Sequence, residues 1–392
     1  MSAGHVLRAR RWPRPAIAAV VLGVASCVTG IVVDPRRTAA AYLVAYMASL
    51  AVVLGALAMI MIARVTDATW FVALRPQAEQ VVGTLPALAL LFIPLLIAVR
   101  VLYPWAEPAT IYASNAREPI RANAAYLNVP FFIVRSAIYW LTWILLGEAL
   151  RRPSVAPDQH DAAAVRRRLY VTSVIGLAAF SLTVTFAAFD WMMSLTPAWY
   201  STIYGVYYFG GGMVGALALL ALLAAPRRWR HELPEQVSAQ TLHALAKLLL
   251  TFVLFWIYIG FSQLIVIWSA EIPAEAAWYA TRMHGWFGAL GATLVIGHFA
   301  LPFCALVVRA VRRSVAAMAV LGAWLLVMHY LDLYWVVMPD AAPAGTRHWL
   351  DAGALVFVAG VTSLAWAARR AEPPPTARFQ LARITSLEYL AD

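Results

Sequence analysis

Charged residues are scarce in this sequence of 392 residues, because only 12% of them are Asp, Glu, Lys or Arg. A soluble domain carries about 25% charged residues. The composition therefore excludes a soluble enzyme and leaves no folded basic face for nucleic acid. Lysine is scarcer still, since Lys247 is the single lysine among 30 basic residues. Arginine must carry any positive charge that sets membrane topology.

Cysteine is nearly absent as well. The two that occur, Cys27 and Cys304, lie in separate apolar runs, and the sequence has no C-x-x-C pair. Iron–sulfur and structural zinc sites need clustered thiolates, so neither is predicted, and both cysteines are interpreted as packing residues. Phosphate-binding loops, dinucleotide fingerprints and zinc-protease motifs are also missing.

Long apolar runs are what the sequence does have. Hydrophobic residues make up 63% of the chain, and the mean hydropathy is +0.74. A helix needs about 20 mostly apolar residues to cross a bilayer, and these runs are too long and too uniform for barrel strands. They predict an N-terminal segment (1–15), a transmembrane domain (16–368) and a C-terminal tail (369–392). The sequence thus predicts an all-α membrane protein with about ten transmembrane helices, over 16–33, 41–63, 82–101, 129–150, 169–188, 204–224, 244–268, 285–308, 315–336 and 350–368.

The arginines are distributed unequally between the two sides of these predicted helices. Of the 30 basic residues, 21 fall in the two terminal segments and the even-numbered loops, and 7 fall in the odd-numbered loops when Arg100, at the end of the third helix, is counted with its loop. Short cytoplasmic loops are enriched in arginine and lysine. Both termini are therefore predicted to be cytoplasmic. An alternative for the first helix is that "VASC" (24–27) is a lipoprotein cleavage box and that this helix is removed.

An aspartate stands at the end of the fifth apolar run, in "FAAFDWMMSL" (186–195). One interpretation of Asp190 is that the helix has reached water at the outer surface. The other is a buried carboxylate beside an outer cavity, which handles protons or a polar ligand, since a charge near the bilayer centre costs at least about 2.5–3.5 kcal/mol. The loop after Asp190 contains no arginine or lysine before residue 227, so a cation partner must come from elsewhere.

Two pairs of ionisable residues lie at helical spacing. His243 and Lys247 are four apart near the inner end of the seventh helix, and His329 and Asp332 are three apart near the outer end of the ninth. Lys247 fits a proton path, because a buried lysine shifts its pKa readily, or it snorkels to the membrane surface. His329 beside Asp332 fits a proton acceptor for a hydroxyl-bearing ligand, or the two form a satisfied interfacial pair.

The remaining candidates extend these pairs into two groups. The outer group is Asp190, Arg282, His284, His329 and Asp332, and the inner group is His243, Lys247, Glu148 and His298. The alternative interpretation of Glu148 is that it only forms an ion pair with the neighbouring arginines. Haem ligation is disfavoured, because His284 and His298 share one helix and no second helix carries such a pair. Ser262 and Gln263 are expected to bond neighbouring helices.

Four stretches together resemble a known family. They are "YLNVPFFIVRSAIYW" (126–140), "TFAAFDWMMSLTPAWYSTIYGVYYFGGG" (185–212), "HALAKLLLTFVLFWIYIGFSQLIVIW" (243–268) and "HYLDLYWVVMP" (329–339). These are similar to the ActF-type integral membrane subunit of alternative complex III, a bacterial quinol:cytochrome c oxidoreductase with NrfD-like membrane subunits. The resemblance extends from the second predicted helix through the ninth.

The resemblance implies two four-helix bundles with a flanking helix pair, in the bacterial inner membrane. It implies no bound redox metal in this chain, with haem and iron–sulfur clusters in partner subunits: a multihaem cytochrome c and an iron–sulfur protein, beside a second NrfD-like subunit. The resemblance favours the second NrfD-like subunit as the quinol-oxidation site, because that subunit lies against the iron–sulfur partner. It implies quinone or quinol as a ligand of this chain too, and it suggests half-channels for protons. By motif match, the residues carried over are Asp190, Lys247, His329 and Asp332.

The sequence thus predicts a non-autonomous subunit that supports quinol oxidation, with proton translocation as an additional property that the resemblance suggests. Two alternatives stay open. A stand-alone secondary transporter would favour inverted repeats with interrupted helices at matching positions, for which "YFGGGMVG" (208–215) is the nearest feature. A purely structural anchor would use its polar residues for packing alone.

Overall fold

The computed structural model describes residues 13–107, 117–151, 162–229, 235–270, 272–342 and 348–370. Within these ranges the chain is helical without a strand, and ten helices are long and apolar enough to cross a membrane. The predicted N-terminal segment and C-terminal tail lie largely outside the described residues. The ten helices are α1 (Arg14–Val33), α2 (Pro35–Val65), α3 (Arg75–Ile97), α4 (Val129–Arg151), α5 (Ala162–Trp191), α6 (Tyr204–Trp229), α7 (Glu235–Ala270), α8 (Gly285–Val307), α9 (Val315–Ala341) and α10 (Trp349–Arg370).

These helices form two four-helix bundles. In the first bundle α2 and α4 each pack on α3 and α5, and in the second bundle α6 and α8 each pack on α7 and α9. Helices α1 and α10 pack together as a pair and lie against α2. This arrangement confirms the predicted all-α membrane fold with two bundles and a flanking pair.

Helix α2 is the centre of the molecule, and almost all of its apolar stretch is buried. It contacts helices of its own bundle, α6 and α9 of the second bundle, and α10. A helix that is apolar on all sides belongs in a core. Its alanine-rich surface lets neighbours approach closely, most of all where Gly55 crosses Gly212 of α6, since a Cβ on Gly55 would overlap the Gly212 carbonyl.

Several helices are longer than the predicted spans. Helix α2 begins at Pro35 instead of residue 41, because the Asp34 carboxylate caps it by accepting the Arg37 backbone N–H at 2.9 Å, and proline suits the first turn. Helix α5 starts seven residues before its predicted start at 169. Hydropathy locates the part of a helix that crosses the membrane, and polar turns then continue the helix beyond it.

Side chains at the helix ends divide into two sets of contacts. At the end where α1 begins, here the near end, Arg64 donates to the Leu150 carbonyl at 2.7 Å and Arg369 to the Gly83 carbonyl at 3.1 Å. At the opposite, far end, Arg36 donates to the Ala341 carbonyl at 2.9 Å. The two near-end contacts join residues next to even-numbered loops or the C-terminal tail, and the far-end contact joins residues next to odd-numbered loops. This is the pattern expected if each of the ten helices crosses the membrane once. The near end is the one that the arginine distribution predicts to be cytoplasmic.

Candidate functional site

Asp190 is buried in the first bundle, with 1% of its surface exposed. Arg135 of α4 bonds both carboxylate oxygens, with Nε to Oδ2 at 2.8 Å and Nη2 to Oδ1 at 2.9 Å, and the Tyr139 hydroxyl donates to Oδ2 at 2.7 Å. The interpretation that Asp190 has reached water is therefore wrong. The partner comes from a helix, and the one signal for it was an arginine inside the fourth apolar run.

Asp332 is equally buried, but its partners are neutral. It accepts hydrogen bonds from the Tyr207 hydroxyl and, at 3.1 Å, from the Trp256 indole N–H. In the part of the chain that the structure describes, no arginine or lysine pairs with this carboxyl group. A buried carboxyl group without a cation can take up and release a proton without breaking an ion pair, which is the property that proton transfer needs.

Two histidines lie near Asp332 or its partner Trp256. His329 is one turn earlier on α9, and its Nε2 lies 3.3 Å from the Ala48 carbonyl of α2, while its Nδ1 has no hydrogen-bond partner among the described residues. His298 of α8 packs on the Trp256 ring, with ring centroids 4.1 Å apart, and neither of its ring nitrogens bonds a residue that the structure describes. Asp332, Tyr207, Trp256, His298 and His329 are called the central polar cluster below.

This cluster lies deeper than predicted. Helix α9 extends to Ala341, so Asp332 is nine residues, about 13 Å, from its far end. The sequence reading placed His329 and Asp332 near the outer surface, because it ended the helix at residue 336. It also assigned His298 to the inner group, whereas the structure places His298 against Trp256. Of the nine candidates, three therefore meet near the middle of the second bundle.

A π-helical turn positions His298. Residues Val295–Ala300 form this turn within α8, and Pro302 follows at once. Proline lacks an N–H and its ring crowds the carbonyl four residues earlier, which here is the His298 carbonyl. The helix widens by one residue to avoid that carbonyl. In the sequence, Pro302, four residues after His298, is the feature that indicates this irregularity in the helix.

The other candidates lie apart from the cluster. Lys247 is exposed on the surface of α7, nine residues toward the near end from Trp256, and His284 is exposed between two helices, with Nδ1 2.8 Å from the Ala280 carbonyl. His243 is half-buried, and its Nδ1 has no hydrogen-bond partner within the described part of the chain. Glu148 pairs with Arg151 at 3.2 Å. The structure brings none of these four residues to Asp332.

A cavity of about 430 Å³ occupies the far half of the second bundle, within the range of about 300–1,000 Å³ found for ligand pockets. Its walls come from α6, α7, α8, α9 and a short helix, Pro273–Met283. Gly260, Gly288 and Gly291 line it, and a Cβ on them would come within 3.2 Å of Tyr207, Met283 and Trp335, respectively. This space is called the far-side cavity.

The far-side cavity opens sideways, toward the region that lipid would occupy. Phe261 of α7 and Val295 of α8 line it and are also exposed on the outside of the bundle. The near half of α8 packs on α7, whereas its far half, Gly285–Leu294, packs on α9 and on the short helix. The two helices diverge from the π-helical turn toward the far end, and the cleft between them is the opening.

The inner wall of the far-side cavity belongs to the central polar cluster. Tyr207 and Trp256 line the cavity, and both donate hydrogen bonds to Asp332. A ligand in the cavity would therefore be one side chain away from the buried carboxyl group. Sequence reasoning identified Asp332 but missed both aromatic partners, because tyrosine and tryptophan in an apolar run usually pack.

Arg282 forms the outer wall of the far-side cavity and has no exposed surface. Its Nη2 donates to Asp340 at 2.5 Å and to the Val336 carbonyl at 2.6 Å, and its guanidinium lies 3.5 Å from the centre of the Trp278 ring. Burial lowers the pKa of the Arg282 guanidinium, and the Asp340 carboxylate opposes that shift. The predicted outer polar residue is thus a paired structural cation.

Gln263 also lines the far-side cavity, from α7. The sequence reading expected Ser262 and Gln263 to bond neighbouring helices, and that prediction is wrong for both. The Ser262 hydroxyl donates to the Ile259 carbonyl of its own helix at 2.9 Å. The Gln263 carboxamide makes no hydrogen bond with the described residues, although only 7% of the residue is exposed.

In the described ranges, no three His, Cys, Asp or Glu side chains come together as a metal site would require. Comparison with models of protein families gives no match, and neither does comparison with curated protein sequences. The geometry of the far-side cavity and of the central polar cluster is therefore the basis for a function.

Proposed function

We propose that this chain is a membrane-integral subunit of a quinol-oxidising electron-transfer complex of the alternative complex III type, and that quinol binds in the far-side cavity. One observation carries the proposal. The apolar cavity has an inner wall, formed by Tyr207 and Trp256, that is hydrogen-bonded to a buried carboxyl group with no cation partner among the described residues. The sequence resemblance to the ActF-type subunit is independent support.

The shape of the far-side cavity suits a lipid-soluble ligand. Phe261 and Val295 line the cavity and are exposed on the outside of the bundle between α7 and α8, so a quinol would enter from the bilayer there and leave its isoprenoid tail in the opening. Aromatic side chains such as Trp335 give the walls flat apolar surfaces, against which a ring can stack. The polar end of the ligand would then face Tyr207.

Proton transfer in this site would proceed through Tyr207. A quinol hydroxyl that donates to the Tyr207 oxygen would pass its proton there while the Tyr207 proton moves to Asp332, because the Tyr207–Asp332 hydrogen bond already exists. Complete oxidation of one quinol to quinone releases two protons and two electrons. The electrons leave one at a time to an iron–sulfur or haem acceptor in a partner subunit, and Asp332 must release its first proton before the second transfer.

The partners follow from the same proposal. We infer that the chain assembles with an iron–sulfur subunit, a multihaem cytochrome c and a second NrfD-like membrane subunit in the bacterial inner membrane, with its near end in the cytoplasm. The site lies in the far half of the bundle, so its protons would leave on the opposite side of the membrane. Proton pumping from the near side is a separate property that quinol oxidation at this site does not require.

Labelling of the intact complex tests this function. The complex is purified in mild detergent, irradiated with a photoreactive quinone analogue, and digested for peptide mapping. We expect haem and iron–sulfur subunits to co-purify, and label on α7 between Trp256 and Leu264 and on α8 between Gly288 and Val295, which line the cavity. Label confined to a partner subunit, or a chain that purifies without redox partners, would overturn the proposal.

A further inference from the structure

The carboxamide of Gln263 is the feature of the far-side cavity that packing does not explain. It lies in the cavity wall without a hydrogen-bond partner among the described residues. It is five residues, about 7 Å, deeper than Trp268, a largely exposed residue of the same helix. An amide that faces an apolar cavity without a partner is poorly solvated, so a group that enters the cavity and bonds this amide would be favoured.

Gln263 is placed to act together with Tyr207. The Tyr207 ring packs against α7 at Gly260, where an added Cβ would lie 3.1 Å from its Cε2. Gln263 is three residues beyond Gly260 toward the far end, a rise of about 4.5 Å along the same face. Tyr207 and Gln263 therefore line the same part of the cavity wall, about one helical turn apart along α7.

We propose that Gln263 is a positioning residue that holds the second ring oxygen of a para-quinol whose first oxygen meets Tyr207. The inference rests on the proposed function. A carboxamide both donates and accepts hydrogen bonds, so it would accept from the hydroxyl of the quinol and donate to the carbonyl of the quinone. It would hold both redox states without placing a charge at this depth, and two fixed oxygens would orient the ring toward Asp332.

Steady-state kinetics of the intact complex test this role. In Gln263→Met the chain length is kept and the hydrogen bonds are lost. We expect KM for a short-tailed quinol to rise about tenfold, the value for one lost hydrogen bond of about 1.4 kcal/mol, with little change in kcat. The same variant should weaken product inhibition by the corresponding quinone to a similar extent, because the amide binds both states equally.

Three matched variants separate a binding role from a structural one. Ser262→Ala removes a hydroxyl that is bonded within its own helix, and we expect it to leave KM unchanged. Tyr279→Phe removes the hydroxyl of another cavity-lining residue and tests whether that hydroxyl holds the ring instead. Gln263→Asn keeps the amide but draws it back by one methylene, and it should restore part of the affinity. Haem content per complex checks assembly in every case.

The outcomes distinguish this inference from the proposed function. If Gln263→Met and Gln263→Asn leave KM and product inhibition unchanged while Asp332→Asn abolishes turnover, the ring is held elsewhere and the inference is wrong. If only Tyr279→Phe raises KM, Tyr279 rather than Gln263 holds the ring, and the inference is wrong. If Asp332→Asn and Tyr207→Phe both turn over normally, the quinol site itself is wrong.

Discussion

Arg135 and Asp190 form a two-point ion pair that joins α4 to α5, whereas Asp332 of the second bundle has only neutral partners among the described residues. The two carboxyl groups are both buried, so the difference lies in their neighbours. A guanidinium bonded to both carboxylate oxygens holds Asp190 in place and joins the two helices. The Asp332 carboxyl group has no such ion pair among the described residues, and under the proposed function this contrast gives Asp190 a structural role and Asp332 a chemical one.

Breaking the first of these pairs should affect stability and spare catalysis. We expect Asp190→Asn to destabilise the protein by about 3–5 kcal/mol, because it leaves the Arg135 guanidinium buried and unpaired. Thermal unfolding in detergent measures this loss, and turnover per assembled complex should be unchanged. The double variant Arg135→Met with Asp190→Leu removes both charges and should recover part of the stability. A single variant as stable as the native protein would contradict the structural role.

Removing the acidic proton of Asp332 should have the opposite result. The carboxamide oxygen introduced by Asp332→Asn can accept from the Trp256 indole N–H, and its NH2 group can donate to the Tyr207 hydroxyl oxygen, so the fold and the assembly should survive. We expect turnover to fall by at least about 100-fold, the size typical for loss of a positioned general base. Quinol:cytochrome c activity normalised to haem content measures the effect, and Ser262→Ala serves as the control. Turnover near the native rate would show that protons leave by another route.

Lys247 should be dispensable for turnover. The sequence made it a candidate for a proton path, but its side chain is exposed on α7, apart from the central polar cluster. We expect Lys247→Met to keep turnover within about twofold of the native rate, since a snorkelling lysine contributes to solvation rather than to chemistry. Quinol oxidation and proton release are both measured in vesicles. A loss of proton release with intact quinol oxidation would instead restore the proton path.

The close contact between α2 and α6, where the two bundles meet, should not tolerate a side chain at Gly55. Gly55 meets the backbone of Gly212 without intervening atoms, so Gly55→Val must push α2 and α6 apart. We expect a loss of about 1–3 kcal/mol, as for other overpacked cores, and a lower midpoint of thermal unfolding. The control Ala323→Val adds bulk at an exposed position of α9 and should be neutral. Equal stability of the two variants would contradict this close approach.

The sequence was sufficient for the parts of the structure that depend on hydropathy and composition. Apolar runs long enough to cross a bilayer correctly predicted ten helices. Their ends were less accurate, because polar turns such as Pro35–Arg37 remain helical when a cap and a buried ion pair stabilise them. Arg37 falls in a predicted loop, but it pairs with Asp351 of α10 at 2.5 Å.

The candidate site depended on contacts between helices, which a single sequence does not record. Asp332 was found because a charge in an apolar run is costly. Its partner Tyr207 is 125 residues earlier and carries no such signal. His298 was assigned to the wrong group, because its placement follows from a helix irregularity rather than from its position along an ideal helix. The far-side cavity results from two helices diverging, which hydropathy does not describe.

Pro302 should be required for activity while it lowers stability. It follows the π-helical turn Val295–Ala300 and has no N–H to offer the His298 carbonyl. Pro302→Ala supplies that donor, so we expect the turn to relax to an α-helix and the free energy of unfolding to rise, since a proline inside a helix costs about 3 kcal/mol. The relaxed helix would rotate His298 away from Trp256 and narrow the cleft between α7 and α8. We therefore expect turnover to fall roughly ten- to hundredfold, as for other small misplacements of a site.

Pro94→Ala, which removes a proline from α3 of the first bundle, is the matched control and should keep turnover. Higher stability with unchanged turnover would show that the turn is a packing irregularity without a role in the site.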